Sequence, residues 1–144
     1  MLAMYTRHLK APRESFFLFG PRGTGKSTWL RQQLPDAHWF DLLRMPLVLE
    51  LTRRPETFRA RIEALPKGSW VVVDEVQRMP ALLDEVHALL AEHGKSYRFA
   101  LSGSSARKLR RLEVNLLAGR AITRNFFPLT AAELEYDVGL DDLL

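Results

Sequence analysis

FFLFGPRGTGKST, residues 16–28, is the stretch on which the reading of this chain turns. Four apolar residues, enough for one buried strand, run straight into a glycine-bearing loop. Gly20, Gly25, Lys26 and Ser27 then meet the pattern G-x-x-x-x-G-K-[ST]. Glycine lets a backbone curl until successive N–H groups face an anion, and the helix that follows adds the positive end of its dipole. On this reading Gly20, Pro21, Arg22, Gly23, Thr24, Gly25, Lys26, Ser27 and Thr28 form a phosphate cradle. Lys26 would reach the β- and γ-phosphates and Ser27 would ligate Mg²⁺ through its hydroxyl. The competing reading is a strand-to-helix turn that matches by accident. The bare pattern arises in roughly one chain of this length in a few hundred, and its position between strand and helix makes accident rarer.

The cradle needs a partner, and WVVVDE at residues 70–75 supplies one. Its apolar run predicts a buried strand whose carboxyl end delivers Asp74 beside the loop. An aspartate there can hold Mg²⁺ and complete the ligand set begun by Ser27. Glu75, next to it, can orient and deprotonate an attacking water, which favours hydrolysis over transfer to another acceptor. Read alone, the Asp-Glu pair could equally cap a strand and solvate a turn. Its place after a phosphate loop is what weighs against that.

Around these two motifs, short apolar runs alternate with helix-patterned segments, the pattern of a parallel sheet covered by helices. Strands are expected over 15–19, 38–41, 70–73, 97–101 and 121–127. Helices are expected from Lys26 to just before Pro35, over 46–52, after Pro55, after Pro80 as far as Gly94, and over 106–117. Phe58, Ile62 and Leu65 share one face of the third, and Leu82, Leu83, Val86, Leu89 and Leu90 keep helical spacing in the fourth. In such folds crossovers are right-handed and functional loops lie at the carboxyl ends of the strands.

The 144 residues suit one domain with a single core; 47% are hydrophobic and 26% charged, which excludes disorder and low complexity. There is no cysteine, so disulfides and thiolate metal sites are excluded, and a reducing cytoplasmic setting is the expectation. No membrane span or signal peptide is visible in the sequence. The net charge of +4 permits an anionic partner, and a nucleotide satisfies that as well as nucleic acid does.

Other polar positions carry two readings each. Ser102 and Ser104 lie at the end of the fourth strand, where a hydroxyl can touch the γ-phosphate or the attacking water, or simply form a turn. Ser102, at the strand end itself, is preferred. Arg120 follows Gly119 and either projects as an arginine finger towards a neighbouring subunit's nucleotide or is a surface arginine. Arg107, Lys108, Arg110 and Arg111 make either the solvated face of a helix or a nucleic-acid patch, without aromatic interleaving to favour the patch. Gln77 is placed to hydrogen-bond near the metal site, and Arg22 either leans towards the γ-phosphate or lies exposed. The four histidines show no metal-ligand spacing.

With LFGPRGTGKST, VVVDEVQRMPALLDEV, FALSGSSARKL, LAGR and FFPLTAAEL in this order, the chain resembles the AAA+-like P-loop ATPases. More narrowly, it is similar to prokaryotic ATP-binding proteins that join such an ATPase domain to a C-terminal domain of unknown function. The resemblance implies an α/β P-loop NTPase three-layer sandwich with a five-stranded parallel sheet in the order 5-1-4-3-2. It implies Ser102 or Ser104 as the sensor residue, Arg120 as the finger, and residues 5–9 beside the adenine. The expected organisation is an N-terminal segment at 1–14, an ATPase core at 15–135, and an acidic tail or the start of a further domain at 136–144. The family's helical lid is not complete within these residues. The expectation is therefore either a longer protein with a C-terminal domain or a reduced ATPase.

Three functions stay in play. The leading one is Mg²⁺-dependent hydrolysis of ATP to ADP and phosphate, coupled to a partner and carried by Lys26, Ser27, Asp74, Glu75, Ser102 and Arg120, the last through a homo-oligomer. The others are a nucleotide-dependent binding module that hydrolyses little, and a P-loop small-molecule kinase on the same fold.

Overall fold

The computed structural model of the chain describes residues 11–20, 25–103 and 122–125, the last as backbone. Five strands, β1 (Phe16–Phe19), β2 (His38–Asp41), β3 (Ser69–Asp74), β4 (Tyr97–Gly103) and β5 (Ile122–Asn125), alternate with four helices in this region. The helices are α1 (Lys26–Gln33), α2 (Met45–Arg53), α3 (Glu56–Glu63) and α4 (Leu82–His93). The strands form one parallel sheet in the order β2-β3-β4-β1-β5, which is the expected 5-1-4-3-2 read from the other edge.

A strand pleat sends successive side chains to opposite faces, and β1 shows what that requires. Phe17 and Phe19 enter one core with Phe40, Phe58, Val71, Val73 and Leu101. Phe16 and Leu18 enter the other with Trp29, Leu30, Val72 and Ala100. All four residues of β1 are buried, which is why FFLF reads as a continuous apolar run and not an alternating one. The Trp29 face of the sheet is covered by α1. The opposite face carries α2, α3 and α4 through Leu51, Phe58, Ile62, Leu83, Val86 and Leu89. Truncating Phe17 to alanine at the sheet centre would cost about 3–5 kcal/mol.

The helix limits follow local chemistry. Proline in the first turn of α2 and Pro55 at the N-cap of α3 occupy positions where a missing N–H costs nothing. Asp84 and Glu85 in the first turn of α4 favour its dipole, and Gly94, at φ 57°, ends that helix. Leu65, beyond the last turn of α3, is only partly buried against the core.

Two strands run longer than their apolar patterns. β3 takes in Ser69 and Asp74, and β4 continues through Ser102 and Gly103, because Phe19 pairs with Gly103 and Gly20 N–H donates to Gly103 O at 3.2 Å. Backbone pairing to the central strand, not side-chain hydrophobicity, sets that end. The helix expected over 106–117 lies outside the described residues.

Candidate functional site

Because every strand is parallel, Gly20, Asp41, Asp74 and Ser102 come to the same edge of the sheet. With β4 between β1 and β3, Ser102 separates the glycine loop from the acidic pair.

Gly25 ends the loop in the left-handed region (φ 87°, ψ 16°), a conformation that glycine adopts without a Cβ penalty, and its carbonyl accepts the first bond of α1 from Trp29 N–H at 2.9 Å. The chain therefore turns abruptly from loop to helix at Lys26. The Lys26 side chain reaches back to the end of β1: Nζ donates to Gly20 O at 2.7 Å and lies 3.9 Å from Glu75 Oε2. Lys26 is 5% exposed, so the ammonium is buried at the mouth of the sheet.

One residue on, Ser27 Oγ donates to Asp74 Oδ2 at 2.8 Å. The other aspartate oxygen, Oδ1, accepts from Ser102 Oγ. Ser102, fully buried, also accepts the Glu75 N–H at 3.2 Å. The Ser102 hydroxyl proton is thus committed to Asp74, and the residue binds both members of the acidic pair. Glu75 itself stands at φ 61°, ψ 50°, the one non-glycine residue with positive φ among those described. Its Oε1 accepts from Gln77 Nε2 at 2.9 Å.

Asp74 and Glu75 are each 4% exposed, and the buried Lys26 ammonium lies 3.9 Å from Glu75. Buried carboxylates are costly unless they are paired, hydrogen-bonded or coordinate a metal. Ser27 Oγ and Asp74 Oδ2 are hard oxygen donors already in contact, a pair that suits Mg²⁺. No group of three or more His, Cys, Asp or Glu side chains among the described residues could hold a metal. A small divalent ion here would therefore take its remaining ligands from phosphate oxygens and water, the usual habit of Mg²⁺.

Of the residues singled out in the sequence, Gly20, Gly25, Lys26, Ser27, Asp74, Glu75 and Ser102 come together. Thr28, the next residue of α1, is exposed. Pro21, Arg22, Gly23, Thr24, Ser104, Arg120, residues 5–9 and the basic cluster at 107–111 lie outside the described residues. Gln77 was legible as a polar neighbour, but its attachment to Glu75 was not. That contact depends on a left-handed backbone at residue 75, which a glutamate does not advertise.

A parallel sheet flanked by helices, with a strand–glycine loop–helix turn facing an acidic strand end, defines a P-loop NTPase. The AAA domain family matches residues 12–135, and the chain belongs to that family. Among solved structures, that of PCH-2 from C. elegans is similar at a TM-score of 0.49 and 17% identity, over 84% of this chain and 37% of that one. The chain thus spans little more than a third of that structure's length. No curated protein matches it. Among the described residues, no helix is long and apolar enough to cross a membrane.

Proposed function

We propose that this domain binds ATP together with Mg²⁺ and hydrolyses it to ADP and phosphate, coupling the step to a partner or a further domain. The observation that carries this reading is the buried cluster in which Lys26, Ser27, Asp74, Glu75 and Ser102 meet at one sheet edge. Family membership supports nucleotide binding in general.

Lys26 exchanges its bond to Gly20 O for phosphate oxygens, which turns a loop-closing contact into a charge-assisted one. Ser27 and Asp74 hold the metal, which when bound neutralises charge across the phosphates. As Lys26 moves towards phosphate, the Glu75 carboxylate acts as the base. That carboxylate takes a proton from water as the water oxygen bonds to the γ-phosphorus. The bond from the γ-phosphorus to the β,γ-bridging oxygen breaks, and its electron pair leaves with ADP. Ser102 keeps Asp74 and Glu75 in register through the step. Arg120 is the proposed source of a positive charge from a second copy.

Phosphate release from ATP and Mg²⁺, measured without any added acceptor over a range of protein concentrations, tests this reading. Release without acceptor is expected, and a specific activity that climbs with concentration supports Arg120 acting between copies. ATP affinity with no release at any concentration would instead mark a nucleotide-dependent binding module. Release only when a hydroxyl acceptor is added would mark a kinase.

A further inference from the structure

We propose that Gln77 is the positioning residue for Glu75: its side-chain amide holds one carboxylate oxygen so that the other faces the phosphate site. The proposal rests on the hydrolytic reading above and adds a residue to it.

Strand alternation would send residue 75 to the sheet face opposite Asp74. The left-handed backbone at Glu75 breaks that alternation, at a cost of about 1–2 kcal/mol for a residue with a Cβ. Two bonds to its own N–H and C=O hold it there: Glu75 N–H donates to the Ser102 hydroxyl at 3.2 Å, and Glu75 O accepts from Arg78 N–H at 3.0 Å. The second opens a 3-10 turn, Val76–Arg78, whose Val76 side chain is fully buried in the core beneath α4. The turn is therefore anchored, and the backbone of Glu75 is settled.

Its side chain is not settled by any of this. Glutamate has three free torsions, and ordering them costs up to about 2 kcal/mol. Gln77 removes that freedom from two residues away, through Nε2 to Glu75 Oε1 at 2.9 Å. The opposite oxygen, Oε2, is the one 3.9 Å from Lys26 Nζ, on the phosphate side. In these contacts the two oxygens differ: Oε1 meets the Gln77 amide and Oε2 faces the Lys26 ammonium. A neutral amide suits the task, because it orients the carboxylate without the positive charge that would oppose its taking a proton.

The test uses the full 144-residue chain and compares wild type, Gln77→Ala, Glu75→Gln and the double variant Gln77→Ala/Glu75→Gln. Turnover, ATP affinity and melting midpoint are measured on each. Gln77→Ala is expected to lower kcat about ten-fold, with KM and ATP affinity within about two-fold of wild type. Adding it to Glu75→Gln should change the residual rate no further, since it acts through Glu75. Independently of turnover, the Gln77 side-chain amide signals in an ¹⁵N-correlated NMR spectrum should move in Glu75→Ala. Three results overturn the assignment: kcat unchanged in Gln77→Ala while Glu75→Gln is inactive, a fall in affinity and melting midpoint alongside kcat, or amide signals indifferent to Glu75→Ala. Wild-type turnover in Glu75→Gln overturns Glu75 as the base and this assignment with it, whereas no phosphate release from wild type overturns the hydrolytic reading and leaves the amide signals to test the Gln77 contact.

Discussion

Lys26, Asp74 and Glu75 meet where the strands end, each at most 5% exposed, while Arg59 on α3 gathers Glu63, Glu85 and Glu92 in the open. Both are clusters of charge on the same fold. On the helix surface every carboxylate of the network keeps access to water: Glu92 lies 2.6 Å from Arg59 with its side chain 53% exposed. The neighbouring Glu92 and Glu85 raise the Arg59 guanidinium pKa, and that hydrogen bond lowers the Glu92 carboxyl. His93 adds a contact to Glu63 at 2.7 Å. This network ties α3 to α4. At the sheet edge the carboxylates are buried, and among the described residues Ser27 and Ser102 donate to Asp74, Gln77 donates to Glu75, and Lys26 lies near Glu75. Burial, not the number of ion pairs, separates the cluster at the strand ends from a surface that braces two helices.

The comparison can be broken from the buried side first. Lys26→Ala removes the ammonium that phosphate would meet, and ATP affinity should fall about 10- to 100-fold in equilibrium titration. An unaltered affinity would remove Lys26 from the cradle. Ser102→Ala deletes a hydroxyl that serves Asp74 and Glu75 together and leaves a buried donor and acceptor without it. A stability loss of about 1–3 kcal/mol in denaturant unfolding is expected, with slower turnover. Wild-type stability there would mean the site is wetter than its burial shows. Arg59→Ala is the smallest case. The melting midpoint should drop by less than about 5 °C, and less still at high ionic strength, because exposed pairs are weak and screened. A larger or salt-insensitive drop would show that the surface network behaves like the buried one.

Much of this was readable before any coordinates. FFLF, WVVVD and the leucine spacing of α4 each carry a single periodicity, and their elements form within a residue or two of the expected limits. The loop and acidic pair were legible because each demands particular residue types: glycine for the turn, lysine for phosphate, carboxylates for a metal and a water. What was hidden is how the side chains are spent. That Ser102 gives its proton to Asp74 follows from β4 lying between β1 and β3, a long-range fact. That Glu75 adopts φ 61° has no local signal at all, since the surrounding core and the Ser102 bond impose it. The extension of β4 to Gly103 likewise comes from pairing with Phe19 and not from its own composition.

The central claim is that Glu75 takes the proton from water while the rest of the cluster binds. Single-turnover phosphate release from wild type and Glu75→Gln, at ATP concentrations that saturate both, tests it most directly. The substitution keeps the size of the side chain and leaves Lys26, Ser27 and Asp74 in place, so ATP affinity and the melting midpoint should be retained. Phosphate release should fall about 100-fold or more. Release at the wild-type rate, with ATP bound, would contradict the account.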